Sequence, residues 1–223
     1  HVHPDGASTQ ITFGVLNLAN HLGHALDPGQ REAIRLSLDH IAYAVPAGHR
    51  IRVSISTTYW PLIWPAPEGA TVTLHGGSLT VDALTSAGDW TFPPPDAAPP
   101  WQTEKLRPEA HTRRTETDHV TGTVSLIIED DFGKLRDLDH GLVTGSVARE
   151  RWDIHPDDPL SARGHCHWTD ELQLCDITLR TETSCSMWSD ATQFHLSAKL
   201  EAFENDTRVY ARDLTDAIPR KLL

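Results

Sequence analysis

The sequence predicts an all-β protein, with a jelly-roll β-sandwich first and a second antiparallel β meander or partial barrel after it. Two observations carry this. Apolar residues recur with period two, as in Ile34, Leu36 and Leu38 and again in Ile51, Val53 and Ile55. Turn formers such as Pro4-Asp5-Gly6, Asp27-Pro28-Gly29 and Pro46-Ala47-Gly48 interrupt those runs at short spacing. No stretch sustains a helical period long enough to place a helix.

Residues 1–88 form the expected jelly-roll unit. Its strands are read at Ile34–Leu38, Ile51–Ile55 and, after a Pro/Gly-rich loop, Val72–Leu74. Residues 89–113 hold six prolines without periodicity and read as a semi-rigid extended connector. Trp90, Phe92 and Trp101 place that connector along a surface. Residues 114–223 form the second β unit. Val124, Leu126 and Ile128 open a strand that a turn at Asp131-Phe132-Gly133 should end. Longer alternating stretches follow near 143–155, 162–172, 174–188 and 191–204, with a short one near 207–213. Consecutive strands joined by tight turns pair with their sequence neighbours, which predicts a meander.

Composition excludes several classes. The formal charge is −12, and no basic stripe offsets it, so nucleic acid is not an expected partner. No run approaches the ~18 apolar residues of a membrane helix, so a membrane is not expected either. Cys166, Cys175 and Cys185 are odd in number and sit in strand-like segments, which reads as buried reduced thiols in a cytoplasmic protein. The chain opens on His1 and its one methionine is Met187, so a processed or longer parent is expected.

Catalytic motifs are weak. A G-x-S-x-G elbow is absent, and Gly76-Gly77-Ser78-Leu79-Thr80 fails at its last glycine. His75-Gly76-Gly77 reads as a tight hairpin between strands. Of the 14 histidines, His165 and His167 should share one strand face while Cys166 points away, so the three cannot close a tetrahedral site alone. His21 and His24, and the alternating His1 and His3, carry no supporting motif. No metal site, cofactor or catalytic residue is assigned. Glu129-Asp130-Asp131 and Asp157-Asp158 read as turn carboxylates, and the Asn205-Asp206-Thr207 sequon as a turn.

One segment stands out. Tyr59-Trp60-Pro61-Leu62-Ile63-Trp64-Pro65-Ala66-Pro67 is too rigid for a strand and too apolar for an ordinary loop. Tyr59, Trp60 and Trp64 are therefore the expected binding or docking surface.

Asp5-Gly6, Gly14-Val15-Leu16-Asn17-Leu18, Pro46-Ala47-Gly48-His49-Arg50-Ile51-Arg52, Ser54-Ile55-Ser56 and Tyr59-Trp60-Pro61 agree in order and spacing with a known pattern. The chain resembles the C-terminal non-catalytic region of the CocE/NonD hydrolases and X-Pro dipeptidyl-peptidases (peptidase S15). The proline strap and the string His155-Pro156-Asp157-Asp158-Pro159 extend the likeness over nearly the whole chain. The resemblance implies a galactose-binding-like jelly roll packed on an α/β-hydrolase domain that carries the Ser, Asp and His. The family's opening strands would precede His1, so an edge left by them should be covered. On this reading the chain stabilises the catalytic domain and helps shape its cleft, in a parent cleaving esters, amides or X-Pro peptides. Two other readings stand beside it. One is a carbohydrate- or ligand-binding module with the aromatic loop as platform. The other is a structural domain mediating homo-oligomerisation.

Overall fold

Long alternating runs separated by short turns leave the second half of the chain one simple solution, a sheet in which each strand pairs with the next. A computed structural model, which describes residues 1–84, 88 and 91–221, has this form. The strands are β1 (Thr103–Arg107), β2 (Ala110–Thr117), β3 (Val124–Asp137), β4 (Val143–His155), β5 (Asp158–Leu174), β6 (Ile177–Ser189), β7 (Gln193–Glu204) and β8 (Thr207–Pro219). All pairings are antiparallel, the order from β3 to β8 is sequential, and the sheet does not close into a barrel. The meander expectation holds, and the protein is all-β.

Turn chemistry explains the strand ends. Asn205 adopts φ 46° between β7 and β8, a left-handed conformation that asparagine tolerates better than most residues. Its side chain accepts a hydrogen bond from the Thr178 N–H at 2.9 Å, tying that turn to β6. The β3–β4 turn closes when Gly141 N–H donates to the Asp137 carbonyl at 2.8 Å.

Asp131-Phe132-Gly133 does not end its strand. It is a β-bulge inside the 14-residue β3, where the register steps from Asp131↔Val147 to Lys134↔Gly145. The same three residues that suit a turn suit a bulge, because Gly133 takes φ 83° at no steric cost. A Cβ at Gly133 would lie 2.9 Å from the Arg107 carbonyl. Opposite the bulge, β1 and β2 are two pieces of one edge strand broken at Pro108, both paired with β3. The sheet thus begins at Thr103, inside the stretch read as connector.

The first half is organised differently. It carries one short helix, α1 (Leu18–Leu22), capped by the Asn17 side chain and by left-handed Gly23. Val2 bridges both Ser8 and Arg50. Gly14 lies so close to the next extended segment that a Cβ there would be 2.6 Å from the Ser37 carbonyl. The Asp39 N–H donates to the Phe13 carbonyl nearby at 3.1 Å. Among the described residues, Ile34–Leu38, Ile51–Ile55 and Val72–Leu74 form no named strand. Ile51, Val53 and Ile55, expected to face a core, are 51%, 60% and 66% exposed, because among the described residues no named strand pairs with or covers them. Trp90 lies outside the described residues; Phe92 and Trp101 are exposed.

Well-buried apolar residues sit in the meander, including Ile127, Ile128, Val143, Ala148 and Ala162. The bulge is held electrostatically. The Asp131 carboxylate accepts from the Gly133 N–H at 2.8 Å and from Arg107 Nη2 at 3.0 Å. Burial alone would raise its pKa, but the Arg107 and Gly133 hydrogen bonds outweigh that and lower it. A carboxyl held lower in the folded state stabilises the fold above its unfolded value of about 3.9, and that contribution disappears as pH falls through the folded value. Asp131→Asn is therefore expected to lower the melting temperature by a few degrees at pH 7. The gap between variant and parent should close on acidification below about pH 3.9, as followed by circular dichroism.

Candidate functional site: the aromatic loop on the sheet

Register alone assembles one row of side chains on a face of the meander. Trp152 pairs with Gly164, Gly164 with Met187, and Met187 with Leu196. Ser189 and Phe194, paired across β6 and β7, share that face. The row is large at Trp152 and absent at Gly164, so the indole lies down over the glycine. A Cβ at Gly164 would meet Trp152 Cζ3 at 2.6 Å. Trp152 Nε1 donates to Glu150 Oε2 at 2.9 Å, which satisfies the ring's polar edge.

The loop from Tyr59 to Pro65 lands on this row. It is turned by the Ile63 N–H donating to the Tyr59 carbonyl at 2.8 Å and carries a cis bond between Trp60 and Pro61. Trp60 and Trp64 pack edge to face with centroids 5.0 Å apart. Trp60 then meets Trp152 at 5.9 Å, and Trp64 meets Phe194 at 6.3 Å, both edge to face. These are the geometries in which aromatic quadrupoles attract.

Polar contacts complete the contact zone. Trp64 Nε1 donates to Ser189 Oγ at 3.0 Å, and Arg220 Nη1 donates to the same oxygen at 2.8 Å. Arg220 Nη2 reaches the carbonyl of the buried Pro65 at 2.7 Å, and Nη1 also meets the Asp190 carbonyl at 3.0 Å. The guanidinium lies 4.7 Å from the Phe194 ring centroid. Burial pushes the Arg220 pKa down while the Asp190 carboxylate opposes that shift. One cation thus links the loop, the β6–β7 turn and the segment after β8. Tyr59 stays outside this contact. It is 41% exposed and touches Phe13 at 6.0 Å.

The structure thus sets Trp60 and Trp64 against the meander and leaves Tyr59 with the first unit. Trp152, Ser189, Phe194 and Arg220 were not identified from sequence. The sequence pointed the loop at a catalytic domain or the proline strap, and no local pattern marked these meander residues as its partners.

Other chemically suggestive groups gather less. His165 and His167 lie on the opposite sheet face and pair with Ser186 and Ser184, each at 2.9 Å. His167 Nε2 lies 3.9 Å from Glu182 Oε2. Serine, imidazole and carboxylate are thus in sequence, but on an open sheet whose N–H groups belong to the ladder. No oxyanion donors can converge there. Cys166 stands opposite Cys185 on the other face, and burial pushes its thiol pKa up. That favours an unreactive thiol, whereas Cys175 and Cys185 are exposed and not buried as the sequence suggested.

A model of the X-Pro dipeptidyl-peptidase C-terminal non-catalytic domain matches residues 1–123. No curated protein and no solved structure matches the chain significantly.

Two substitutions probe the docked loop. Trp64→Phe keeps an aromatic ring but loses the indole's second ring and its Ser189 hydrogen bond, and Arg220→Met removes the cation; each should cost about 1–3 kcal/mol. Because both act on Ser189, their combined effect should depart from additivity by about 0.5–3 kcal/mol in urea unfolding. Gly164→Ala should cost about 1–3 kcal/mol through overpacking against Trp152.

Proposed function

The chain belongs to the X-Pro dipeptidyl-peptidase C-terminal non-catalytic domain family, and on that premise we propose that it braces the α/β-hydrolase domain of its parent and helps wall that domain's substrate cleft. The parent on this reading is a serine hydrolase acting on esters, amides or X-Pro peptides. The single observation that supports bracing is how much surface the fold leaves uncovered, with large apolar side chains among it. Its accessible area is 16887 Å², against about 10,000 Å² expected for a compact monomer of 24.7 kDa. Isolated exposed apolar residues need no explanation, but runs of alternating exposed apolar residues such as 51–55 mark surfaces that something covers.

Much of the exposure lies where the family match lies, although β8 is exposed as well. Ile51, Val53, Ile55, Val72 and Leu74 are all more than half exposed on alternating stretches that lack ladder partners. A neighbouring domain that packed on them would gain apolar burial and pair their free backbone groups at once. The aromatic loop has a part in this. By fastening the first unit to the meander, Trp60 and Trp64 would let a covered first unit carry the sheet into place beside a cleft. The indoles are engaged edge to face by Trp152 and Phe194, which argues against a sugar-stacking platform.

The test has two arms. The chain alone is expected to turn over no p-nitrophenyl ester and to resist fluorophosphonate labelling. Mixed with its parent's catalytic domain, it should co-elute on size exclusion, and amide exchange should slow at 51–55 and 72–74. Ester turnover by the chain alone, lost on replacing one of its serines, would overturn the proposal. So would a catalytic domain whose stability and rate are unchanged by its presence.

A further inference from the structure

Two neighbouring histidines, His1 and His3, meet a third from far along the sequence, His49, at the start of the first unit. The turn at Pro4-Asp5-Gly6 folds residues 1–9 into a small hairpin. The Gly6 N–H donates to the His3 carbonyl at 3.0 Å, His3 N–H to the Ala7 carbonyl at 2.8 Å and Thr9 N–H to the His1 carbonyl at 2.9 Å. A second turn, closed by His49 N–H on the Pro46 carbonyl, delivers residues 49 and 50 to the hairpin's other edge. Val2 and Arg50 exchange both backbone hydrogen bonds, at 2.8 and 3.0 Å.

That register has a consequence for side chains. With Val2 opposite Arg50, His3 falls opposite His49, and His1 lies diagonally from it on the same face. Alternation sends Val2 and Arg50 to the other face. The rings accordingly meet: His1 and His3 stack with centroids 4.2 Å apart, and His49 lies 4.7 Å from His1 and 5.0 Å from His3. One ligand-capable nitrogen from each lies within 4.8 Å of the others. His1 Nε2 and His49 Nδ1 are in direct contact.

The geometry points to a divalent transition-metal site of the zinc class, held by His1, His3 and His49. Imidazole nitrogen suits zinc and its neighbours, and the set contains no thiolate or carboxylate that would select another class. Tetrahedral zinc with bonds of about 2.0–2.1 Å needs nitrogen pairs roughly 3.3 Å apart, so the His3 ring, stacked on His1 at 18° with Nε2 3.3 Å from Thr9 Oγ1, would turn out of the stack to aim at the ion. Tyr43 supplies the outer support that metal-bound histidines commonly have. Its hydroxyl lies 2.7 Å from His1 Nδ1, which leaves Nε2 to face the other rings. His1 is buried at 8% exposure, while His3 and His49 are half-buried, so the site is shielded yet reachable. The ion would pin the hairpin to the segment after Pro46, with a fourth position open to water or an anion. Its role is a staple of the first unit.

The test uses Co2+ and Zn2+ on the full chain carrying a short extension ahead of His1. The extension prevents a terminal amine from chelating metal together with His3. One equivalent of Co2+ should give the intense visible absorption of a four-coordinate nitrogen site, and Zn2+ should displace it. Zn2+ should also raise the melting temperature. His49→Ala should abolish the cobalt spectrum. Tyr43→Phe, which keeps all three ligands, should weaken binding by about 10–100-fold with an unchanged far-ultraviolet spectrum. Absence of a cobalt spectrum in the folded parent would overturn the assignment. So would binding that survives His49→Ala and Tyr43→Phe unchanged.

Discussion

The arrangement of this molecule depends on one cation. Arg220 comes after the last strand, yet its guanidinium is divided between a serine hydroxyl, a turn carbonyl and the carbonyl of Pro65, 155 residues away. None of these acceptors is charged. The interaction is therefore directional, and it works only where all three acceptors are already in place. Arginine suits the position because its planar fork can serve several acceptors at fixed angles, which an ammonium cannot. Around it Trp64, Phe194 and Ser189 exclude water, and Trp60 and Trp152 extend the contact across β4.

The meander by itself is a poor globule. It is one sheet with its edge strands β2 and β8 exposed along their whole length. A sheet needs a layer against each apolar face, and here one layer is only partly supplied, by the aromatic loop. The first unit has the opposite difficulty. It has apolar extended stretches and too few ladder partners, and its order rests on short-range devices: the hairpin at Val2, the close pass at Gly14, and two turns closed by proline and glycine. Among the described residues, each half thus leaves apolar side chains or sheet edges uncovered.

Within the first unit the histidine cluster is the densest polar feature. It occupies the one place where residues from both ends of the first fifty meet through paired backbone hydrogen bonds. A metal there would replace covering layers with coordination, the same substitution by which small domains with thin cores reach stability.

Period-two alternation and turn residues determined the all-β class and the strand order of the meander, because adjacent strands joined by tight turns have almost no alternative pairing. The rigid, apolar character of residues 59–67 was likewise legible as a surface that must meet something. Three matters were decided only in three dimensions. Asp131-Phe132-Gly133 has the composition of a turn, and whether it reverses the chain or bulges a strand depends on the edge strand broken at Pro108. Trp60 and Trp64 found their partners on strands across the sheet, with Trp64 reaching Ser189 over 125 residues, a separation no local pattern encodes. His1 and His3 announced a shared face through their spacing, but His49 joined them only because Val2 and Arg50 pair. Local chemistry sets which face a side chain takes, and the register of distant segments sets what that face meets.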